Sequence, residues 1–416
     1  MVAVAALGYF VDVYDLLLFS AIRTVSLHDI GVSSADSLSV GLELLTWQMW
    51  GLLIGAICWG VLGDKKGRRY VLFGSILIYS IANLLNAYVQ TVEQYEWLRF
   101  FAGAGLAGEL GAGITLVTEV MPRERRGIGT TIIGSFGLLG AALASVVGLN
   151  LGWRTAFIIG GIMGLLLLFL RFSVMESGLW EAVRDRHLPR GNLLKLLISP
   201  ARVGKLARCV LVGLPVYFVV GLLITGAPEF GKELAIQGTP KAAWAVMLAY
   251  IGMAIGDIIC GIASQLWKSR KKALLTFGIL SGVTIAIYLF LPGKDLIAFY
   301  WRCGLVGFGV GFWALINQNT AEQFGTDVRA TVTTLSPNLI RASLIPISAC
   351  FNVLKIDFGL ISAAVIVGAF CVVTSILSTL SLKETFNAPA DFVEAGLGGR
   401  SWGGLFKRIF TGGARR

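Results

Sequence analysis

Two carboxylates lie close together in the first long apolar stretch of the chain, LGYFVDVYDLLLFSAIR. They are Asp12 and Asp15, and their spacing of three residues places them on one face of a helix. An ionised acid at the centre of a bilayer costs from about 3 to well over 10 kcal/mol, depending on how the cost is measured. This face is therefore expected to line a cavity, where Asp12 is either a second titrating group or a hydrogen-bond acceptor.

An arginine occupies the middle of another apolar stretch, ATVTTLSPNLIRASLIPISAC. Arg341 lies one helical turn from Asn338 and between two prolines. A guanidinium offers a planar fork of donors that matches a carboxylate or a phosphate. The residue predicts binding of an anionic group, and the alternative is an internal ion pair with Asp257. A further acid, Glu109, lies among small residues in GAGLAGELGAG, where we expect it to face a cavity or to be protonated.

The elements that position these groups are membrane-spanning helices. Of the 416 residues, 56% are hydrophobic and only 14% are charged, which indicates an all-α integral membrane protein. The apolar segments are too long, and alternate too little, for the strands of a membrane barrel. Twelve segments of suitable length are joined by loops too short for a soluble domain. They cover about 2–22, 41–62, 70–90, 94–119, 128–150, 154–173, 207–229, 243–264, 272–292, 297–322, 329–353 and 358–382.

The net charge of +11 follows from loops that alternate in composition. GDKKGRR, PRERRG, the stretch from Arg184 to Arg208, KSRKK and the C-terminal tail are basic, whereas the loops between them are not. The positive-inside rule predicts that both termini and the middle loop are cytoplasmic. The charge therefore does not indicate a nucleic-acid partner. The six cysteines lie inside the segments and the two histidines in loops, so we expect no disulfide, no metal site and no cofactor.

The two halves of the chain repeat weakly. Arg99, Gly108, Glu119 and Arg126 in and after the fourth segment recur at a constant offset in the tenth, as Arg302, Gly311, Glu322 and Arg329. A duplicated six-helix unit with a binding site between the copies is a transporter architecture, in which the halves rock about that site. The expected parts are an N-terminal bundle (1–173), a cytoplasmic linker (174–206), a C-terminal bundle (207–385) and a basic cytoplasmic tail (386–416).

Several motifs resemble those of the major facilitator superfamily. GDKKGRRYVLFGS follows the second segment and is similar to the signature loop G-x-x-x-D-x-x-G-R-R of that superfamily. LRFFAGAGLAGELGAG, EVMPRERRG, GWR, MESGLW and KET lie where its other motifs lie. VDVYD and AGEL resemble motifs of the metabolite:proton symporters, although Asp12 stands where that group usually has Glu and Ala107 replaces a glycine.

The resemblance implies a fold and a mechanism. The fold is twelve transmembrane helices in two six-helix bundles, and the activity is proton-coupled symport of a small organic anion or related metabolite by alternating access. In that group an aspartate of the first span, matched here by Asp15, pairs with the arginine that opens the fourth span, matched here by Arg99. We expect Asp15 to carry the proton, with Arg99 as its partner and with Asp12 and Glu109 as further proton-coupling candidates. The alternative is a permanently closed Asp15–Arg99 pair that fixes two helices together.

Two further sets of residues are expected to bind substrate or to control the conformational state. The substrate-binding candidates are Arg341, Asn338, Asp257, Gln48, Tyr14, Tyr250 and Asn317. Tyr217 is a further polar candidate, and for it and for Gln48, Tyr14, Tyr250, Asn317 and Asn338 the alternative is a hydrogen bond in helix packing. The gating candidates, by resemblance, are Asp64, Arg68, Glu119, Arg126, Glu176, Glu322 and Arg329.

Other classes of function fit the sequence less well. No nucleotide-binding loop of the type G-x-x-x-x-G-K-[ST] and no nucleophile constellation are present, so we expect neither an enzyme nor an ATP-driven pump. A carrier of sugars or other neutral solutes, and a membrane sensor without transport, stay open as alternatives. The expected partners are the lipid bilayer, protons and a small-molecule substrate, with the chain acting as a monomer in the plasma membrane, which in a bacterial cell is the inner membrane.

Overall fold

The computed structural model describes residues 2–66, 68–108, 126–176, 196, 199–325 and 328–386. These residues form long helices joined by short loops, as the apolar segments predict. The helices of the first half are α1 (Val2–Asp29), α2 (Ser37–Lys66), α3 (Arg68–Asn86), α4 (Val92–Leu106), α5 (Arg126–Leu151) and α6 (Trp153–Glu176).

The second half contains shorter helices as well as long ones. It begins with α7 (Pro200–Val212), α8 (Leu214–Phe218), a π-helical turn (Val219–Ile224) and α9 (Ala227–Glu233). It continues with α10 (Ala242–Leu266), α11 (Arg270–Phe290), α12 (Leu296–Gly309), α13 (Trp313–Gln323), α14 (Arg329–Ala342), α15 (Leu344–Phe358) and α16 (Leu360–Ser381).

The helices agree with the predicted membrane spans. Within the described residues, seven helical stretches are long and apolar enough to cross a bilayer, and the bent pair of α7 with Leu214–Ile224 makes an eighth if it is one span. They correspond to predicted spans two and six to twelve. The described parts of the other four predicted spans are helical too, as α1, α3, α4 and α5. The described parts of the predicted segments are thus confirmed as helices.

Three spans of the second half are interrupted, whereas the sequence predicts continuous helices. The seventh span bends by 44° between α7 and α8, beside Pro215. The tenth is interrupted between α12 and α13, and the eleventh at Ser343 between α14 and α15. Pro346 explains the last break, because it has no N–H to donate and its ring clashes with the carbonyl of Ala342. Arg341 therefore lies at the end of a helix rather than inside one.

Small residues let the helices approach closely. In the first half α1 packs on α5 and α6, and α4 packs on α2 and α3. A Cβ atom added to Gly55 of α2 would lie 2.5 Å from the carbonyl oxygen of Ala104 in α4. In the second half α10 packs on α12, and α16 packs on α7 and α11. Across the two halves α1 and α5 contact α10, and α2 contacts α14 and α15. These contacts surround the central cavity described next.

Candidate functional site

The central cavity lies between the two halves of the chain. Its empty volume is about 320 Å³, including space open to solvent. The first half contributes α1 and α5, and the second half contributes α8, the π-helical turn, α10, α13 and α14. Its lining consists of apolar side chains such as Leu16, Leu138 and Met253, together with Tyr9, Tyr217, Tyr250, Trp313 and Arg341.

Arg341 supplies the positive charge of the cavity. Its side chain is buried, and its Nε donates a hydrogen bond of 3.1 Å to the hydroxyl oxygen of Tyr217. The guanidinium carbon lies 5.9 Å from the centre of the Trp313 ring. Within the described residues neither Nη atom has a hydrogen-bond acceptor. The two Nη atoms are therefore free to donate to an anionic group in the cavity.

Aromatic rings form the wall next to this guanidinium. The rings of Tyr217 and Trp313 lie 6.0 Å apart at 58°, and Tyr9 and Tyr250 complete the aromatic lining from the first and second halves. Because Tyr217 accepts a bond from Arg341, its own hydroxyl hydrogen can be donated elsewhere. The arrangement suits a flat, mostly apolar molecule that carries one anionic group.

Asp257 does not pair with Arg341, in contrast to the alternative considered from the sequence. Its Oδ1 atom accepts a hydrogen bond of 3.0 Å from the backbone N–H of Ala314, in the first turn of α13. The side chain is buried on α10, the same helix that brings Tyr250 and Met253 to the cavity. The carboxylate is thus held by a helix N-terminus and not by the guanidinium.

The other substrate-binding candidates are divided between the cavity and helix packing. Tyr250 lines the cavity. Tyr14 donates to the carbonyl oxygen of Ala156 at 2.8 Å and so joins α1 to α6, and Asn317 donates to the carbonyl oxygen of Trp313 at 3.0 Å within α13. Tyr14 and Asn317 therefore use donor groups in helix packing.

Asn338 and Gln48 occupy environments unlike those of the three candidates just described. Asn338 donates to the carbonyl oxygens of Ala107 at 3.4 Å and Thr334 at 3.2 Å, so it contacts the first half across the interface. Gln48 is fully buried, and neither its Oε1 nor its Nε2 has a hydrogen-bond partner among the described residues. The sequence singles out both residues but does not distinguish these two environments.

Asp15 and Arg99 are brought together inside the first half, although not as the direct ion pair that the resemblance implies. Both are buried, and they interact electrostatically. Arg99 donates from Nη2 to Oδ1 of Asn83 at 2.9 Å, and its guanidinium lies 4.8 Å from the centre of the Phe157 ring. Asn83 also interacts with the carboxylate of Asp15, although no contact of either Asp15 oxygen within the described residues meets full hydrogen-bond geometry. The carboxylate lies against Gly160, where an added Cβ would overlap its Oδ1 atom.

Asp12 and Glu109 are the two other proton-coupling candidates. Asp12 is buried on α1, one turn from Asp15. Glu109 lies outside the described residues. The first half therefore places a buried acid and a buried arginine next to each other at the meeting point of α1, α3, α4 and α6, which is a suitable environment for a group that exchanges a proton.

Sequence reasoning missed an ion pair that joins the two halves. Arg23, near the end of α1, is fully buried, and its Nη2 atom lies 2.6 Å from a carboxylate oxygen of Glu229 in α9. The same guanidinium donates to the carbonyl oxygens of Ser37 at 2.7 Å and Thr225 at 3.1 Å. We call this end of the interface, which carries the loop between α1 and α2, the first-loop end. The available signal was that Arg23 and Glu229 each stand at the end of a predicted apolar segment.

Two weaker contacts lie on the same side of the molecule. Lys355 donates to the hydroxyl of Ser39 at 3.3 Å, and the hydroxyls of Thr46 and Ser348 lie 3.1 Å apart. Each contact joins α2 to α15. The first-loop end of the interface is therefore closed by one buried ion pair and by hydrogen bonds.

Most of the gating candidates lie outside the described side chains. Glu119 lies outside the described residues, and the side chains of Asp64, Arg68, Arg126, Glu176 and Arg329 are not described. The exception is Glu322 on α13. Its partners include the guanidinium of Arg270, with an Nη2 to Oε1 distance of 3.3 Å, and the hydroxyl of Thr385 at 2.7 Å. Glu322 is thus tied to α11 and to the segment after α16, within the second half.

Glu384 belongs to the same network. It accepts hydrogen bonds from the hydroxyl of Ser269 and from the backbone N–H of Arg270 at 2.9 Å, so it caps the start of α11. Partial burial alone would raise the pKa of Glu384, but these bonds and those from the N–H groups of Lys271 and Phe386 outweigh it and lower the pKa to about 2. The carboxylate therefore helps to hold the end of the second half together.

The lowered pKa predicts how stability depends on pH. Because the pKa falls from 4.5 to about 2 in the folded chain, the contribution of Glu384 is complete above about pH 4.5 and is lost as the pH falls toward 2. Glu384→Gln should lower the unfolding temperature of the purified protein by about 2 °C at pH 7, a small change because the group is exposed. The difference between variant and wild type should shrink below pH 4.5. Glu233→Gln, at an exposed position of α9, is the control; a difference that grows on acidification would contradict the assignment.

Comparison with known proteins identifies the family. The model described as Major Facilitator Superfamily matches residues 5–343. A protein from Cupriavidus pinatubonensis named as a probable 4-methylmuconolactone transporter is 26% identical over 399 residues, which is 91% of this chain and 89% of that one. The niacin transporter NiaP of Acinetobacter baylyi is 26% identical over 364 residues, 79% of this chain and 80% of that one.

The fold is similar to that of a solved structure as well. The crystal structure of a D-xylose-proton symporter covers 93% of this chain and 98% of its own, with a TM-score of 0.69 and 16% sequence identity. The resemblance drawn from the motifs is confirmed, because the family model spans both halves of the chain. The chain therefore belongs to the Major Facilitator Superfamily and has its fold of twelve membrane-spanning helices in two bundles.

Proposed function

We propose that this transporter carries a small aromatic carboxylate across the membrane together with protons. The observation that carries the proposal is Arg341, whose two Nη atoms have no acceptor among the described residues and lie in a cavity with aromatic walls between the two halves. A planar fork of donors fits a carboxylate, and the rings of Trp313 and Tyr217 fit a flat substrate. The relatives support this class, since one is named for niacin, an aromatic carboxylate.

Proton coupling is assigned to the first half. Asp15 is a buried acid beside Arg99 and Asn83. A neighbouring cation favours the ionised form of a carboxylate, so rocking of the helices that separates Asp15 from Arg99 favours uptake of a proton by Asp15. The proton then neutralises the acid while the substrate carboxylate is neutralised by Arg341. Asp12 and Glu109 stay candidates for a further proton site.

For alternating access we propose that residues 1–173 and 207–385 are the two halves that move against each other. Residues 174–206 would link the halves, and residues 386–416 would form the C-terminal tail. The basic loops support an orientation with both termini in the cytoplasm, and the bacterial relatives support the inner membrane as the location. The first-loop end then faces outward, and the Arg23–Glu229 pair closes it. The gating candidates Asp64, Arg68, Glu119, Arg126, Glu176 and Arg329 are assigned to the cytoplasmic side, where Glu322 holds one half together.

Removing the acid of the outer pair is expected to open that end. Glu229→Gln leaves Arg23 buried without its charge partner, and breaking a buried pair costs about 3–5 kcal/mol in the closed state. A cysteine placed at Thr46, between the halves, in a background with Cys58 and Cys350 replaced by Ser, should react at least about tenfold faster with an impermeant thiol reagent added outside.

Two controls complete this test. Glu233→Gln removes an exposed acid from the same helix and should leave the labelling rate unchanged. The double exchange Arg23→Glu with Glu229→Arg restores opposite charges and should slow the labelling again. Equal rates in Glu229→Gln and wild type would contradict the assignment of this pair as the outer closure.

The substrate class is tested by pairs of ligands that differ only in charge. Thermal unfolding of the purified protein is measured with nicotinate, benzoate and 4-hydroxybenzoate, each beside its neutral amide, and with D-xylose. At least one acid should raise the unfolding temperature, its amide should not, and the effect should vanish in Arg341→Gln. Stabilisation by D-xylose or by an amide alone would instead favour the carrier of neutral solutes.

A further inference from the structure

The tenth span is broken at the point where it reaches the cavity, and the break is packed directly on α10. α12 ends at Gly309 and α13 begins at Trp313. A Cβ atom added to Gly311 would lie 2.6 Å from the Cα atom of Gly256 and 2.6 Å from the carbonyl oxygen of Met253. The two backbones are therefore in contact, and the start of α13 cannot move without disturbing α10.

The first turn of α13 is capped by a side chain from that neighbouring helix. Phe312 occupies the N-cap position with φ −141° and ψ 22°, and its side chain makes no capping hydrogen bond. The first N–H groups of a helix need acceptors from outside the helix. Asp257 of α10 supplies one, because its Oδ1 atom accepts from the N–H of Ala314 at 3.0 Å. A carboxylate is also the group that the positive end of the helix dipole favours.

This cap fixes an aromatic residue of the cavity. Trp313 is the first residue of α13, and its ring lies 5.9 Å from the guanidinium carbon of Arg341 and 6.0 Å from the Tyr217 ring. Met253 and Tyr250 lie one and two helical turns before Asp257 on α10, and both line the same cavity. The carboxylate thus connects two walls of the cavity at one point, while Asp257 itself is absent from the lining.

We propose that Asp257 is a positioning residue that caps α13 from the neighbouring helix and so holds Trp313 over Arg341. Asp257 does not touch the substrate; it sets the spacing of the wall against which the ring of the substrate packs. The inference rests on the proposed function for its ligand readout, and it has a second readout that needs no ligand.

The test separates the position of the acceptor from its charge. Asp257→Asn keeps an oxygen at the same place without the charge, and Asp257→Glu keeps the charge but lengthens the side chain where Gly256 and Gly311 leave no room. The ligand-free readout is the tryptophan fluorescence of residue 313, obtained by subtracting the spectrum of the same protein with Trp313→Phe. The ligand readout is the Kd for nicotinate from calorimetry.

A positioning role predicts a definite order of effects. Asp257→Asn should leave the Trp313 emission and its quenching by acrylamide close to wild type, and should change the Kd by less than about threefold. Asp257→Glu should shift the emission and raise the Kd by about tenfold or more. Adding Trp313→Ala to Asp257→Glu should then weaken binding little further than Trp313→Ala alone, because both changes act through the same ring.

Other results would overturn the inference. If Asp257→Asn weakens binding as much as Asp257→Glu while the Trp313 emission stays unchanged, the charge acts directly and the residue does not position the ring. Unchanged emission and Kd in Asp257→Glu would show that the cap is not needed. If the wild type binds no aromatic acid, the proposed function fails, yet the emission of residue 313 still decides the role of Asp257. Asp257→Ala supplies the same emission readout if the Glu variant does not fold.

Discussion

Replacing Arg341 by Gln is expected to raise the Kd for nicotinate roughly 100-fold, which corresponds to about 3 kcal/mol. The guanidinium is the charged group in the lining of the central cavity, and its Nη atoms have no acceptor among the described residues. The variant loses the charge and the planar fork together, so a carboxylate would enter an aromatic cavity without a partner. Arg341→Lys keeps the charge without the fork and should lose roughly tenfold. Isothermal calorimetry on the purified protein measures both values.

A matched control distinguishes the loss of this binding group from a general effect on the folded protein. Arg208→Gln makes the same exchange at an arginine that donates to the carbonyl oxygens of Gly204 and Ser381, away from the cavity. It should leave the Kd within about twofold of wild type. Any binding of nicotinamide should be the same in wild type and in Arg341→Gln, because that ligand has no carboxylate. Equal Kd values for nicotinate in Arg341→Gln and wild type would remove Arg341 from the binding site.

Asp15→Asn is expected to abolish accumulation of substrate while leaving exchange intact. Asparagine has nearly the shape of the buried aspartate but cannot carry a proton, so the halves can still rock with substrate bound, and a proton gradient no longer drives net uptake. In proteoliposomes, accumulation of labelled nicotinate under an inward proton gradient should fall at least about tenfold, since each proton coupled to a gradient of one pH unit supplies 1.36 kcal/mol. Exchange of external label against internal nicotinate should stay within about threefold of wild type.

The comparison of the two acids of α1 sharpens this prediction. Asp12→Asn, measured in the same two assays, decides whether Asp12 titrates as well or only shapes the cavity. Asp36→Asn, at an exposed loop position, is the control for the substitution itself and should change neither assay. If Asp15→Asn lowers exchange and accumulation equally, the alternative applies, in which Asp15 and Arg99 only fix α1 and α4 together.

The sequence predicts the helices and the charged residues better than it predicts the side chains around them. The twelve apolar segments are visible because each needs about 20 residues to cross the hydrocarbon. Arg341 and Asp15 stand out because a charge inside such a segment is costly. Trp313 and Tyr9 do not stand out in this way, since aromatic residues occur throughout the spans, and only the rotation of each helix decides which of them reaches the cavity.

The breaks in the spans explain the other differences. Asp257 is equally visible as a charged residue in an apolar segment, but its role depends on the interruption between α12 and α13, which exposes the N–H of Ala314. The pair of Arg23 and Glu229 spans the interface of the two halves at a separation of 206 residues in the chain. No spacing rule connects residues so far apart, and an Arg–Glu contact follows only from the packing of α1 against the second half.

The accumulation of nicotinate in proteoliposomes tests the central claim most directly. With an inward proton gradient of one pH unit, the wild-type protein should concentrate labelled nicotinate about tenfold for each coupled proton. Collapse of the gradient by an uncoupler, the use of nicotinamide, or the Arg341→Gln variant should each reduce the internal label to the level of protein-free liposomes. Uptake by the wild type that is equal with and without the gradient, or equal for nicotinate and nicotinamide, would contradict proton-coupled transport of an aromatic carboxylate.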